Sequence, residues 1–306
     1  MALFLAVGGG GDVVMAAALA EEEAVGHIPW ERFVVDPSPG PVPPASLRDV
    51  VEVAPNLYLA TPRSYVERGG RVFKTQGMCV AEALGRSIYV VNPYARVSQL
   101  ASSLTRFNKV IGVDVGGDVL GAGCEESIGS PLSDAYGLAV LTKLEDLGVE
   151  TELWVMSPGA DGELDREYLL KRAAEVAKRG GLVGTVGLGP SQLDRLRLLV
   201  SKCFTEASAV ALKAASGEYG VVELRGGFRK VKVDLFAVFG IRLKPRYVLE
   251  INKAASIIYK HDVDIYEAAK LLIDAGIPTE YHLEEFLTKG VSIEEVFRHF
   301  AKLKRC

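Results

Sequence analysis

Short runs of consecutive apolar residues recur through the first 190 residues, and most of them end in a loop that contains glycine or aspartate. Strands that lack alternation of apolar and polar residues are typical of parallel sheets that helices cover on both faces. The pattern therefore predicts a series of β-strands that are buried on both faces. The predicted strands are residues 3–7, 33–35, 57–60, 88–91, 110–113, 153–156 and 182–186.

Segments with helical periodicity follow several of these runs. Residues 97–107 carry apolar side chains at helical spacing. Residues 131–147 follow a candidate N-cap, Ser130, and would begin with Pro131, where a missing N–H costs nothing. The other helices predicted in this part of the chain are 13–24 and 165–179. Alternation of strands and helices predicts an α/β fold with a Rossmann-like, doubly wound, mostly parallel sheet.

Beyond residue 190 the pattern becomes mainly helical, and one long or broken helix is predicted over 191–216. A boundary at this point would separate a Rossmann-like α/β domain, 1–190, from a mainly helical C-terminal region, 191–306. The alternative is that both parts pack as one domain. The remaining predicted elements are a hairpin of 221–224 and 231–233 and helices over 264–275, 280–289 and 293–304.

Composition and charge exclude several classes of protein. Of the 306 residues, 49% are hydrophobic and 24% are charged, as in ordinary globular proteins. The net charge of −4 and the pI near 5.7 argue against general nucleic-acid binding, because such proteins carry a basic excess. A locally basic stretch, 225–246, is expected to be solvated surface, and the alternative is that it contacts a phosphate, a partner or RNA. No apolar run approaches the roughly 18 residues that a membrane-spanning helix needs.

The cysteines indicate a cellular location, and the small number of Asn and Gln residues indicates growth at high temperature. Cys79, Cys124, Cys203 and Cys306 show no C-x-x-C spacing, and the N-terminus lacks the basic segment of a secretory signal peptide. We therefore expect reduced thiols and a cytoplasmic location. The chain has only four Asn and three Gln, and scarcity of these thermolabile residues is typical of thermophilic proteins.

Candidate chemistry is concentrated where the predicted strands end, because open parallel sheets bind ligands at the carboxyl ends of their strands. Glycines and acidic residues recur at these positions. Two loops are rich in them and are treated separately below. The other candidate ligand-binding residues at strand ends are Asp36, Asn92, Ser157 and Gly159.

The first of these loops contains four consecutive glycines, Gly8, Gly9, Gly10 and Gly11, followed by Asp12. Glycines let the backbone approach a ligand and turn its N–H groups toward an anion, and the start of a helix adds partial positive charge. The pattern is half of a dinucleotide-binding fingerprint, with Asp36 placed to bind a ribose hydroxyl. The alternative is a tight turn in which Asp12 caps the helix.

The second loop brings acidic residues together after the run 110–113. Asp114, Asp118 and Glu125 are candidate catalytic residues, and Gly116 and Gly117 let the chain fold tightly around them. Crowded carboxylates suit a hard cation such as Mg²⁺, with Asp114 and Asp118 as its ligands, or one acid acts as a general base.

The helix that follows this loop offers a second place for an anion. Ser130, Ser133 and the N–H groups of the first turn are placed to hold a phosphate or carboxylate, with Asp134 beside them. The alternative is a solvated acidic loop in which Ser130 caps the helix and Asp134 complements its dipole.

Segments of the sequence resemble two known families. Gly8-Gly9-Gly10-Gly11-Asp12, together with Asp114-Val-Gly116-Gly117-Asp118 and the later Ser130-Pro-Leu-Ser133-Asp134, resembles the mainly archaeal domain-of-unknown-function 1152 family. The likeness covers most of the chain and implies an archaeal, cytoplasmic protein without an assigned activity. At the level of one loop, the segment around Gly116-Gly117 also resembles the D-glutamate cyclase family, with Asp118 in place of the Asn-Glu expected there.

These observations favour an enzyme that binds a small anionic metabolite, of the nucleotide or sugar-phosphate type. Its cofactor would be Mg²⁺ or a nucleotide. Two alternatives stay open: a non-catalytic protein that senses a nucleotide or metabolite, and a structural protein that forms homo-oligomers. The enzyme hypothesis predicts that Asp12 and Asp114 face each other across one cleft, with carboxylates within roughly 10 Å, the reach of one ligand at a switch point.

Overall fold

Strands and helices alternate along most of the chain in the computed structural model, which describes all 306 residues. The strands are β1 (Ala2–Ala6), β2 (Ala24–His27), β3 (Leu47–Ala54), β4 (Leu57–Arg68), β5 (Arg71–Phe73), β6 (Ile88–Val91), β7 (Lys109–Val115), β8 (Glu150–Met156), β9 (Leu182–Gly187), β10 (Gly220–Leu224), β11 (Arg229–Val233) and β12 (Phe239–Leu243). The helices are α1 (Asp12–Leu19), α2 (Gln76–Leu84), α3 (Val97–Leu104), α4 (Pro131–Asp146), α5 (Arg166–Lys178), α6 (Pro190–Lys202), α7 (Ala207–Ala215), α8 (Pro245–Leu249), α9 (Lys253–His261), α10 (Ile265–Asp274), α11 (Glu280–Thr288) and α12 (Ile293–Leu303).

Ten strands form one sheet in the order β3-β4-β6-β2-β1-β7-β8-β12-β9, with β5 paired to β4. The five central strands, from β6 to β8 in this order, run parallel. Antiparallel strands extend the sheet on both sides. The predicted α/β fold, Rossmann-like and doubly wound, is therefore confirmed.

The order of the central strands reverses between β1 and β7. From β1 the chain proceeds outward through β2 and β6, and it then returns to place β7 on the other side of β1, followed by β8. The loops after β1 and β7 consequently leave the sheet in opposite directions and open a crevice between them, which is the usual ligand position in such sheets.

Helices cover both faces of the sheet, so the central strands are buried as their continuous apolar sequences predict. α1, α2 and α6 pack on one face, and α3, α4, α9 and α10 pack on the other. Nearly every residue of α4 is buried, since α4 lies between the sheet and α9. This position carries the first turn of α4, with Asp134, into the protein interior.

The C-terminal region contributes to the main sheet as well as to the helical layer. β12 lies between β8 and β9 and is antiparallel to both. The predicted helix over 191–216 is broken into α6 and α7, and the predicted hairpin is the two-stranded sheet of β10 and β11. The C-terminal region therefore supplies one strand of the main sheet. No helix has both the length and the apolar character that crossing a membrane requires.

One predicted strand is wrong. Residues 33–35 form a turn, and Val34 is 76% exposed. The second parallel strand is β2, which begins at residue 24, where the predicted helix ends. Gly26 and His27 interrupt the apolar run of this strand, so the pattern does not indicate it.

The prediction of reduced thiols is also wrong for this structure. Cys79 forms a disulfide with Cys203, and Cys124 forms one with Cys306. α2 packs against α6, which brings the first pair together. The second pair forms because the C-terminal tail folds back over residues 122–128, where the Lys304 ammonium donates to three backbone carbonyls. Both pairs are far apart in sequence, so no local spacing signals them.

Candidate functional site

A cavity of about 690 Å³ opens at the point where the strand order reverses. This volume is in the range of small-molecule sites, roughly 300–1,000 Å³. The loops after β1, β7 and β8 and the start of α4 contribute to its lining. The predicted site residues that line it are Gly8, Gly9, Gly10, Gly11, Asp12, Asp114, Asp118, Ser130, Ser133 and Asp134.

Three buried carboxylates form what we call the first acidic cluster: Asp12, Asp114 and Asp134. One carboxylate oxygen of each lies within 4.8 Å of the others, so the predicted proximity of Asp12 and Asp114 is confirmed. Asp12 begins α1, Asp114 lies near the end of β7, and Asp134 lies in the first turn of α4. The cluster therefore joins three elements that meet at the switch point.

Few hydrogen-bond donors contact the carboxylate oxygens of this cluster. The Asp114 carboxylate accepts only long hydrogen bonds, from the N–H of Gly117 at 3.4 Å and that of Val119 at 3.3 Å. Asp134 Oδ1 is buried and has no hydrogen-bond partner. A buried oxygen without a partner costs free energy unless an ion, water or ligand pairs with it.

Burial and mutual repulsion raise the pKa of each carboxyl group in the first acidic cluster. For Asp114, burial and then the charge of Asp161 raise the pKa to about 7. The pKa values of Asp12 and Asp134 are raised well above the ordinary range, first by burial and then by the charge of Asp114. Such a group needs protons or a cation to offset its charge at neutral pH.

The glycine loop is shaped by the carboxylates that lie against it. A Cβ at Gly8 would collide with the Asp12 carboxylate and would lie 3.0 Å from Asp134 Oδ1. A Cβ at Gly11 would collide with the Thr205 hydroxyl. The loop is therefore more than a tight turn, because two of its glycines are needed for close approach of polar side chains to the backbone.

A second acidic cluster, Asp118, Asp161 and Glu163, lines the same cavity, again with one oxygen of each within 4.8 Å of the others. Asp118 Oδ1 is buried and has no hydrogen-bond partner. Asp161 lies against Gly116, whose φ of 117° is in the left-handed region and where a Cβ would collide with the Asp161 carboxyl group.

Glu163 differs from the other five carboxylates because its charge is neutralised. Glu163 Oε1 pairs with the buried Arg229 guanidinium at 2.6 Å, and the carboxylate accepts from the N–H groups of Gly129 and Ser130 and from the Ser130 hydroxyl. Burial acts against ionisation, but the charge of Arg229 outweighs it and holds the Glu163 pKa at about 2. Glu163 is therefore a stable anion within the wall of the cavity.

The start of α4 is occupied by carboxylates of the chain itself, which corrects the prediction of a phosphate site at Ser130 and Ser133. The Glu280 carboxylate, at the start of α11, accepts from the N–H of Leu132 at 2.9 Å and that of Ser133 at 2.8 Å. The Ser133 hydroxyl donates to the carbonyl of Val7. The donors that a bound anion would use therefore already have acceptors.

The rest of the lining combines apolar side chains with charged and polar ones. Arg225, directly after β10, lines the cavity, and its guanidinium makes no hydrogen bond or ion pair. Gln76 Oε1 is buried without a partner. The apolar lining residues include Trp30, Phe33, Phe204, Phe228, Leu283, Leu287, Ile293 and Phe297.

Several predicted site residues lie outside the cavity and support the loops instead. The Asp36 carboxylate pairs with Arg68 at 2.7 Å, and Asn92 hydrogen-bonds to Asn56. Asp36 does not follow a strand, because residues 33–35 form a turn, so its expected contact with a ribose lacks its structural basis.

Glu125 and the loop after β8 also have internal partners. The Glu125 carboxylate accepts from the backbone of residues 122 and 123 and from the Tyr168 hydroxyl. The Ser157 hydroxyl donates to the carbonyl of Ala237, and the Gly159 N–H donates to that of Gly116. Gly116 and Gly117 both adopt positive φ and shape the loop after β7 without lining the cavity.

Sequence reasoning did not single out three charged residues of the site, Glu163, Arg229 and Glu280. Asp161 ends the strand-end segment 157–161, which the sequence leaves open as a ligand loop or an ordinary turn. Arg229 lies in the basic stretch that was expected to be solvated, although it is buried. Glu280 has no local signal, because it reaches the site from a helix almost 150 residues after α4 begins.

Comparison with known proteins identifies a family and no activity. Residues 3–288 match the model of a family described as protein of unknown function, DUF1152. No curated protein and no solved structure matches the chain. The function must therefore be argued from the chemistry of the cavity.

Proposed function

Since the chain belongs to the DUF1152 family, whose function is unknown, we propose from its site that it is an enzyme that uses a divalent cation to act on a small anionic metabolite. Asp12, Asp114 and Asp134 would hold the cation, with Mg²⁺ the expected ion because it prefers carboxylate oxygens. The observation that carries the proposal is the unpartnered, buried Asp134 Oδ1 within a group of three carboxylate oxygens that lie within 4.8 Å of one another.

A bound cation would allow an anion to enter this cavity. Two acidic clusters line it, and the one buried guanidinium among them, that of Arg229, is paired with Glu163. When no cation is bound, the negative charge of the first acidic cluster is enough to repel a phosphate or carboxylate. A bound divalent cation reverses the sign of this local field and offers the anion a ligand position.

The size and lining of the cavity favour a nucleotide or sugar phosphate as the metabolite. The glycine loop exposes backbone close to the first acidic cluster, and the unpaired guanidinium of Arg225 can contact an anionic group. The apolar lining and the free acceptor of Gln76 suit the organic part of such a molecule.

Cation binding is the first test. Protein stripped of metal with a chelator is titrated with Mn²⁺, as a spectroscopic substitute for Mg²⁺, and binding is followed by isothermal titration calorimetry. Asp134→Asn is expected to weaken the tightest site at least tenfold, because it removes a charged ligand while keeping the side chain's shape. Asp194→Asn, an exposed residue on α6, is the matched control and should bind as the wild type does. Absence of binding in the wild type would refute the proposal.

Turnover separates an enzyme from a sensor. The loaded protein is incubated with a panel of nucleotides and sugar phosphates, and both bound and altered molecules are identified by mass spectrometry. An enzyme alters at least one of them, and Asp114→Asn abolishes the change. A metabolite that is bound and released unaltered would favour the sensing protein instead, and a panel with no ligand would leave only the structural alternative.

A further inference from the structure

We infer that Asp118 and Asp161 form a second divalent-cation site beside the first acidic cluster, so that the cavity holds a pair of cations. This inference rests on the proposed function, because the second cation would act on the same bound anion. It extends that function to a reaction class, the displacement at phosphorus of a phosphate ester.

The geometry of the second acidic cluster supports a cation. Asp118, Asp161 and Glu163 present oxygens within 4.8 Å of one another. Asp118 is 6% exposed, and its Oδ1 has no partner although it lines the cavity. Glu163 is paired with Arg229 and Ser130, and Asp161 Oδ1 accepts from the N–H of Glu163 at 3.2 Å. The Asp118 carboxylate and Asp161 Oδ2 therefore remain available to bind an ion.

The charge of the two clusters, counted with every carboxyl group ionised, supports two cations over one. The two clusters contain six carboxylates, and the one buried guanidinium that pairs with them is that of Arg229. One divalent cation and Arg229 would together balance three of the six negative charges. Unbalanced charge is costly in a buried site. A second divalent cation leaves a single excess negative charge, which Arg225 at the edge of the cavity can offset.

The loop after β7 links the two clusters. Each lines the same cavity, and the Asp114 carboxylate accepts from the N–H of Val119, the residue that follows Asp118. The loop through Gly116 sets this arrangement, since only glycine leaves room for the Asp161 carboxyl group.

A pair of cations indicates a phosphate ester as the substrate, because two ions can stabilise the attacking and the leaving oxygen of an in-line displacement. In hydrolysis the oxygen of a water molecule forms a bond to phosphorus and the ester P–O bond breaks. The electron pair of that bond leaves with the ester oxygen, which takes one proton from the attacking water. The products are an alcohol and inorganic phosphate, and no oxidant or reductant is needed.

The test counts cations and asks whether they are neighbours. Metal-free protein is titrated with Mn²⁺ and followed by electron paramagnetic resonance, in which two adjacent Mn²⁺ ions give an exchange-coupled spectrum and an isolated ion gives six lines. We expect about two ions per chain and a coupled spectrum in the wild type. Asp118→Asn should bind about one ion with a six-line spectrum, and Asp194→Asn should match the wild type.

The outcomes distinguish this inference from the proposed function. One ion per chain in the wild type, with Asp118→Asn unchanged, would overturn the second site and leave the first intact; it would mean that Asp118 and Asp161 share a proton. No bound ion in the wild type would overturn both. Asp161→Asn provides a second variant if Asp118→Asn does not fold, and it is expected to lose the same ion.

Discussion

Replacing Asp114 with asparagine is expected to stabilise the protein when metal is absent and to remove the part of its response to metal that comes from the first acidic cluster. The side chain is buried, and burial and the neighbouring Asp161 raise its pKa from an ordinary value near 3.8 to about 7. A carboxyl group with a raised pKa in the folded state opposes folding once it ionises. Asparagine has nearly the same shape and carries no charge, so the opposition disappears.

The magnitude follows from the difference in pKa between the folded and unfolded states. A difference of about three units corresponds to about 4 kcal/mol, since each unit is worth 1.36 kcal/mol. Asparagine can accept only one of the two long hydrogen bonds that the N–H groups of Gly117 and Val119 donate to Asp114, which costs about 1 kcal/mol. The expected net gain is therefore about 3 kcal/mol at pH 8.

The sign of the pH dependence is specific. Below about pH 4 the carboxyl group is protonated in both states, and the variant should gain nothing. As the pH rises from about 4 to about 7, the unfolded state loses its proton while the folded state keeps it, so the wild type loses stability progressively. Above about pH 7 the full difference between variant and wild type should be present.

The assay is urea unfolding in the presence of a chelator at pH 4, 6 and 8, repeated with Mg²⁺. With Mg²⁺ at 100 times the dissociation constant of the first acidic cluster, that site should stabilise the wild type by about 2.7 kcal/mol, and the variant should lack this contribution. A variant that is less stable than the wild type at pH 8 without metal would refute the reasoning. That result would mean that the Asp114 carboxylate stabilises the folded state and does not oppose folding.

Other predictions concern the loop, the internal ion pair and the disulfides. Gly8→Ala should weaken Mn²⁺ binding more than tenfold, because the new Cβ would displace the Asp12 carboxylate; calorimetry with unchanged affinity would contradict this. Arg229→Met should lower the free energy of unfolding by about 3–5 kcal/mol, because it leaves Glu163 buried without a counter-charge; urea unfolding measures the loss, and Glu163→Gln in the same chain should restore part of it. Reduction of both disulfides should lower the free energy of unfolding by about 2–5 kcal/mol per bond, and equal thiol titres before and after reduction would show that the bonds are absent.

The apolar pattern predicted four of the five parallel strands, β1, β6, β7 and β8, because strands that are buried on both faces have continuous apolar sequences. It missed the parallel strand β2 and the antiparallel strands β3, β5 and β12. β3 exposes much of its surface and alternates, and β12 carries Gly240 and Arg242 in a short segment. These strands are defined by their partners in the sheet and not by their own composition.

The site was predictable to the extent that it depends on strand ends. Asp12, Asp114 and Asp118 follow from the rule that loops after parallel strands converge at the switch point. The residues that counter or complete their charge come from elsewhere: Arg229 begins a strand of the hairpin and Glu280 begins a late helix. Only the folded chain brings them together. Archaeal origin, thermophily and a cytoplasmic location stay predictions of the sequence.

The position of β12 has a consequence for the way the chain is made. β9 pairs with β12 alone, so when residue 187 leaves the ribosome it has no neighbour in the sheet until residue 243 has followed. Until then, the side of β8 that will receive β12 presents unpaired backbone groups. A nascent chain paused between these two points would be open to misplaced strand pairing, and a fragment cut at residue 190 would keep that defect permanently.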